Sequence, residues 1–298
     1  MPEQSNHTEK NRKRVKKITE AVLSLPVLPT ITSKILEVVD NPRSSAGDLA
    51  NLVAKDQVLT AKVLKMANSP FYGLPQRVYT VKQAVVLMGF DSLKEISLSL
   101  SIFNIFKNEK SSPYFNITEF WKHSIGVGLG TQLIAKKVHY RDTGMAFTAG
   151  LLHDLGKLVL NHYLPHEFNQ VQDLVNEKGM SLKEAELLVW GVEHGQVGAW
   201  LGERWRLPSL LTETMQYHHQ PLKSEKEKGL CVLLYLADAL VAKSGLGKRG
   251  TNNKGSLSEE VKENLLYQFN IDDAQIEKFE EELLFEFQTK ASDLVSEI

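Results

Sequence analysis

Apolar residues recur at helical spacing along nearly the whole chain. Ile31, Ile35, Leu36, Val38 and Val39 fall three and four residues apart, which gathers them on one side of a helix. Residues 45–54 repeat the pattern, and Asp48 follows Ser45 at the spacing of a capping box. A helix over 57–67 runs into Asn68-Ser69-Pro70-Phe71-Tyr72-Gly73-Leu74-Pro75, where proline and glycine stop it. Helices over 80–88, closed by Gly89, and over 92–106, opened by the pair Ser92 and Glu95, come next. No alternating strand pattern is present in this stretch, so a mixed fold with short hidden strands is the weaker alternative. Residues 107–116 are polar, contain Pro113 and read as a connector.

A second set of helices follows. The pattern predicts helices over 118–138, 143–163 (one long apolar helix), 166–178 ending at Gly179, a helix opening at Ser181 with Glu184 in the capping-box position, 194–205, 208–219 and 230–243. Residues 244–256 are glycine-rich and polar and read as a mobile loop. Two tail helices finish the chain. The last places Ile276, Phe279, Leu283, Phe287, Leu294 and Ile298 near one face, so it should dock on the rest. The fold expected is all-α: a basic, flexible N-terminus (1–17), an N-terminal helical bundle subdomain (18–106) packed on a second helical subdomain (107–243), then a loop and acidic C-terminal helices (244–298).

Charge narrows the function classes. Lys and Arg number 35 against 36 Asp and Glu, a net charge of −1, so nothing draws the whole molecule to nucleic acid or to an anionic membrane. No apolar run approaches the roughly 20 residues that span a bilayer. The N-terminus MPEQSNHTEKNRKRVKK has no apolar core of a secretory signal. The single cysteine, Cys231, excludes an intrachain disulfide and a Cys-rich zinc site. These readings place the protein in the cytoplasm. Charge is uneven, with bases between Lys10 and Lys17 and acids after Glu259; two solvated ends are expected, with contact between the tails or with a partner as the alternative.

The candidate chemistry is a set of polar residues set into apolar helices. His153-Asp154 interrupts Gly150-Leu151-Leu152-His153-Asp154-Leu155-Gly156-Lys157. Burying such a pair is costly unless something satisfies it, and a metal ion does so, because imidazole and carboxylate suit Zn, Fe, Mn and related ions. His123, His194, the pair His218-His219 and Asp238 are placed likewise, each in or at the edge of an apolar helix. A lone histidine of this kind is more often a core residue with a local hydrogen bond. The whole set converging by accident is far less so.

The order His123, His153-Asp154, His194, His218-His219, Asp238 is similar to that of the HD superfamily of metal-dependent phosphohydrolases. More closely, the chain resembles an HDOD domain, the HD-related output domain of bacterial signalling proteins. Leu25-Pro26-Val27-Leu28-Pro29, Asn68-Ser69-Pro70-Phe71-Tyr72-Gly73, Trp121–Ser124, Gly150–Lys157, His194–Leu201 and Trp205-Arg206-Leu207-Pro208 carry the resemblance. It implies an HD-like second subdomain and two divalent transition-metal ions, Fe or Mn ahead of Zn or Ni. His123, His153, Asp154 and Asp238 would hold one, and Asp154 would bridge to a second held by His194, His218 and His219. It further implies a signalling protein partner or, alternatively, hydrolysis of a nucleotide or cyclic nucleotide, with Asp154 at the reaction centre and Lys157 on a phosphate oxygen. Many HDOD domains lack these ligands; this chain keeps them. It departs from the HD-GYP phosphodiesterases, because His218-His219-Gln220-Pro221-Leu222-Lys223 has no Gly-Tyr-Pro signature, which speaks against cyclic-di-GMP as substrate.

Other signals lead nowhere functional. Gly126, Gly128 and Gly130 have the wrong spacing for a dinucleotide loop and suit close helix packing, as do Gly195, Gly198 and Gly202. His139, His162 and His166 read as surface or cap residues. Residues 45–68 have the outline of a helix-turn-helix, but the second helix offers few bases and no Arg; Leu59, Val63, Leu64 and Met66 read as core, and nucleic-acid binding is not expected.

Overall fold

The structure is a computed structural model, and it describes residues 14–24, 28–41, 43–68, 74–106, 112–141, 143–245 and 257–286. Among them there is no strand. The N-terminal half consists of α1 (residues 14–24), α2 (Thr30–Asp40), α3 (Ala46–Val53), α4 (Gln57–Ala67), α5 (Val81–Met88) and α6 (Phe90–Phe106). Ser45 and Asp48 form the expected capping box of α3, Asp56 caps α4, and Thr80 with Gln83 caps α5. Gly89 closes α5 at φ 90°, a left-handed conformation that favours glycine. α6 starts immediately afterwards, so Ser92 lies inside its first turn rather than at its cap.

Asn68 ends α4 and reaches back across the following loop. Its side chain donates to Val78 O and accepts from Val78 N, both at 2.7 Å. α3 and α4 do make the two arms of the helix-turn-helix outline, but Leu59, Val63 and Met66 are buried and Leu64 partly so, which uses that face for the core. The N-terminal basic run enters α1. Lys17 pairs with Glu167 at 2.5 Å, and Arg14 donates to Leu188 O, so these two bases meet the second half of the fold; Lys10, Arg12 and Lys13 lie outside the described residues.

The second half is built on two nearly engulfed helices, α7 (Ile117–Lys137) and α14 (Lys228–Ser244). Between them in sequence come α8 (Thr143–Leu152), α9 (Leu155–Tyr163), α10 (Pro165–Lys178), α11 (Leu182–Val189), α12 (His194–Arg204), α13 (Ser209–Tyr217) and a 3-10 turn, Pro221–Lys223. The single helix expected over 143–163 is in fact two. Asp154 leaves helical geometry at φ −99°, ψ 8°, and the chain turns at His153-Asp154 between α8 and α9. Close packing fixes both pieces. A Cβ on Gly150 would lie 2.6 Å from Gly128 Cα, so α8 crosses α7 backbone to backbone.

One continuous apolar core runs from Ile18 and Val22 of α1 to Leu283 near the C-terminus. The halves meet through Phe103 against Trp121 and Phe106 against Trp205. The tail helices α15 (Glu259–Phe269) and α16 (Asp273–Glu286) dock as expected. Phe279 and Leu283 are buried, Leu283 against Gly130 of α7, and Glu282 and Glu280 pair with Lys137 and Lys243. Phe287, Leu294 and Ile298, the loop 246–256 and the connector residues 107–111 lie outside the described residues. No described helix is long and apolar enough to cross a membrane.

Candidate metal centre

The expected site residues come together at the middle of the second half. His123 projects from α7, His153 and Asp154 from the break between α8 and α9, His194 from the first turn of α12, His218 and His219 from the end of α13, and Asp238 from α14. All are buried except His219, which is half-buried.

Two groups form. His123, His153 and Asp238 make one; Asp154, His194, His218 and His219 make the other, with the ligating atoms of each group within 4.8 Å of one another. In the first, His123 Nε2 is 3.2 Å from Asp238 Oδ1. In the second, Asp154 Oδ1 is 3.1 Å from His194 Nε2 and 3.4 Å from His218 Nε2. Asp154 faces both groups, because its other oxygen, Oδ2, is 3.3 Å from His153 Nε2 and 3.9 Å from His123 Nε2. Asp154 stands at the N-cap position of α9 yet makes no side-chain cap bond. The carboxylate turns away from the role its position invites and toward the imidazoles.

Tautomers follow from the outer hydrogen bonds. His153 Nδ1 is 2.6 Å from Gly150 O, and His218 Nδ1 is 2.7 Å from Met215 O. A carbonyl oxygen only accepts, so each Nδ1 carries the proton. His194 Nδ1 is 2.7 Å from Glu186 Oε1 and donates in the same way. The Nε2 atoms of these rings are left facing inward. His153 Nε2 makes no hydrogen bond among the described residues. His194 Nε2 and His218 Nε2 stand 3.1 Å apart, and two neutral rings there would set lone pair against lone pair. A cation between them removes the conflict, so the donor set fits a metal ion.

The electrostatics favour unprotonated His218 and His219 and an ionised Asp154, while His194 leans the other way. Burial is the strongest influence on Asp154 and pushes its carboxyl up, but His153, Lys157 and the bond from His194 together hold it well below the usual carboxylate range. Burial pushes His218 down to about 3, and burial with its neighbours His218 and His194 holds His219 well below an ordinary imidazole. Burial likewise lowers His194, but Glu186 and Asp154 outweigh it and the net shift is upward. Lys157 is buried, with Nζ 2.7 Å from Asp154 Oδ2. It is not an exposed helix residue.

A cavity meets the site at His123, Asp154 and Lys157. Its walls are largely aromatic: Tyr114, Phe115, Phe120, Phe168 and Trp190, with Gln172 and Glu186 among them. The space open to water-sized molecules is about 40 Å³, enough for a few waters or ions. The far end of the connector forms part of this wall and is pinned by polar contacts. Ser112 N donates to Asn161 Oδ1 at 2.8 Å, and its hydroxyl bonds Asn169.

Glu186 escapes a reading of ligand types along the sequence. The signal is there: Leu182, Ala185, Glu186 and Val189 are spaced as the inner face of a helix, and a glutamate in that face needs a partner. His139, His162 and His166 take no part in either group.

The sequence model of the HDOD domain matches residues 25–221, about two thirds of the chain. The chain belongs to the HDOD domain family. Solved structures share the fold over nearly the whole chain. An HDOD domain protein with unknown function from Geobacter sulfurreducens is 27% identical, with a TM-score of 0.77 over 96% of this chain and 97% of its own. A candidate signal transduction protein from Marinobacter aquaeolei VT8 is 23% identical, with a TM-score of 0.79 over 96% of this chain and 66% of its own. A candidate phosphohydrolase from Shewanella amazonensis SB2B is 22% identical, with a TM-score of 0.74 over 94% of this chain and 97% of its own. Likeness at these last two identities shows the fold. An uncharacterized protein of Treponema pallidum (strain Nichols) is 23% identical over 75% of this chain, which spans 43% of that protein.

Proposed function

We propose that this HDOD protein is a bacterial signal-transduction output module built around two divalent metal ions, and that it acts through a protein partner in the cytoplasm. His123, His153, Asp154 and Asp238 would hold one ion; Asp154, His194, His218 and His219 would hold the other. The observation that carries this is the inward convergence of imidazole Nε2 atoms whose Nδ1 protons are already committed, around a carboxylate that faces both groups. Imidazole and carboxylate donors without thiolate suit Fe, Mn, Zn or Ni. The narrow cavity, with room for ions and a few waters, favours a module over an enzyme.

The second reading is a metal-dependent phosphohydrolase acting on a nucleotide or cyclic nucleotide. Lys157 favours it, because its ammonium lines the cavity beside His123 and Asp154, where it would meet a phosphate oxygen. Divalent ions would supply Lewis-acid activation of the phosphoester. The chain's own residues would exclude bulk water with the aromatic wall and hold the phosphate charge at Lys157.

Metal analysis of the full chain, purified without added ions and then titrated with Mn²⁺ and Zn²⁺, tests the site. About two ions per chain are expected. A protein that neither retains nor takes up transition metal overturns the proposal. A phosphoester panel then separates the readings. Metal without turnover supports the module, and turnover abolished by Asp154→Ala supports the hydrolase.

A further inference from the structure

We infer that Glu186 is a positioning residue for the metal centre: it locks His194 with Nδ1 protonated and Nε2 presented inward, and makes it a more electron-rich imidazole than His218 beside it. This rests on the proposal that the centre binds metal, and goes beyond it to a residue outside both ligand groups. Glu186 lies on α11 and is 1% exposed. Its Oε1 accepts from His194 Nδ1 at 2.7 Å, and its Oε2 accepts from the backbone N–H of the same residue at 3.0 Å.

The second bond explains how one carboxylate sets both backbone and ring. His194 is the first residue of α12, where backbone N–H groups have no partner within the helix. The residue at the cap position, Glu193, makes no side-chain cap bond and instead pairs with Lys183 and Gln220. Glu186 therefore supplies from a neighbouring helix the acceptor that α12 lacks, at the end where the helix dipole favours a negative group. The same carboxylate fixes the ring. His153 and His218 are backed by neutral carbonyls, of Gly150 and Met215, whereas His194 is backed by a charge. His194 thus stands between two carboxylates, Glu186 at Nδ1 and Asp154 Oδ1 at 3.1 Å from Nε2.

Both groups that Glu186 serves are donors, so both of its oxygens must accept. Glu186→Gln keeps the size but turns one oxygen into an NH₂, which sets donor against donor at either the ring or the backbone. The ring then tilts or changes tautomer. Outer partners of this kind are worth about 10–100-fold in metal affinity.

The experiment is Co²⁺ titration of the full-length wild type, Glu186→Gln and Glu193→Gln, followed by visible absorption. Glu186→Gln is expected to weaken Co²⁺ binding by about tenfold or more and to change the ligand-field spectrum, with Glu193→Gln unchanged. A Glu186→Gln protein with wild-type affinity and spectrum overturns the inference and leaves the metal centre standing. A wild type that takes up no Co²⁺ overturns the metal reading, and the inference falls with it. The wild type loaded with Zn²⁺ gives a check that does not depend on the variant folding. Its ¹⁵N-histidine spectra should place the metal on His194 Nε2 with a strongly deshielded Nδ1 proton, and metal on Nδ1 overturns the inference.

Discussion

Gly156 allows the geometry of the centre to be perturbed without touching a polar side chain. A Cβ added there would lie 1.9 Å from His194 O and 2.8 Å from Gly198 N. Both obstacles are backbone of α12 and cannot swing aside. An ordinary carbon–oxygen approach is about 3.3 Å, so α9 and α12 would have to part by about 1.4 Å. Asp154 leads into α9, His194 opens α12, and their 3.1 Å approach spans the same contact. Metal sites tolerate about 0.2 Å, so a shift of that size undoes the second group. Overpacking typically costs about 1–3 kcal/mol, and a rigid backbone obstacle puts Gly156→Ala at the upper end. At about 2 °C per kcal/mol for a chain of this size, Tm should fall by about 6 °C. Wild type should gain stability on adding metal, and the variant should not. Calorimetric melts with and without metal, together with metal content, read both effects. A variant that melts within about 1 °C of wild type and holds the same metal would show that the α9–α12 contact does not set the site.

The remaining expectations concern the frame around the centre. Asn68→Ala strips both backbone groups of Val78 of their partner and should cost about 1–3 kcal/mol in urea unfolding; an unchanged midpoint would deny the loop-closing role of Asn68. Leu283→Ala empties a buried position against α7 and should cost about 2–5 kcal/mol, with faster proteolysis of α15 and α16; wild-type resistance would show that Leu283 is not what holds the tail. Burial pushes the Cys231 thiol up to about 12 from an ordinary 9.0, so a thiol reagent at pH 8 should find nothing in the native protein and one thiol in denaturant. Because the folded value is the higher, the stability this thiol contributes is complete below the unfolded value and is lost as pH rises through the folded one. Rapid modification of the native protein would contradict that burial.

Much of the site was legible in the sequence because its residues break a pattern. A histidine or aspartate in an apolar helix violates the inner face it sits on, so His123, Asp238 and the His153-Asp154 pair stand out. The capping boxes at Ser45 and Ser181 are local chemistry and equally readable; the one at Thr80 shows only in the structure. What escaped depends on contact between distant segments. Glu186 gains meaning only when α11 meets α12. Asn68 and Val78 pair across a loop, which no periodicity records. The start of α6 is set by the turn at Gly89 rather than by Ser92.

The break between α8 and α9 joins these levels. Mostly apolar residues flank His153-Asp154 on both sides, so periodicity alone writes one helix through them. In a continuous helix their side chains would diverge by about 100°, leaving one of the two turned from the centre. Packing overrides periodicity, because Gly150 sits on α7 and Gly156 on α12, and the two helices demand different directions of the chain. The turn between those contacts frees Asp154 from capping α9 and lets its two oxygens face different histidines. A substitution that restored a straight helix there would keep every candidate ligand in the sequence and still turn the Asp154 carboxylate from one of the two histidine groups it faces. The glycines on either side are therefore as much a part of the centre as the imidazoles.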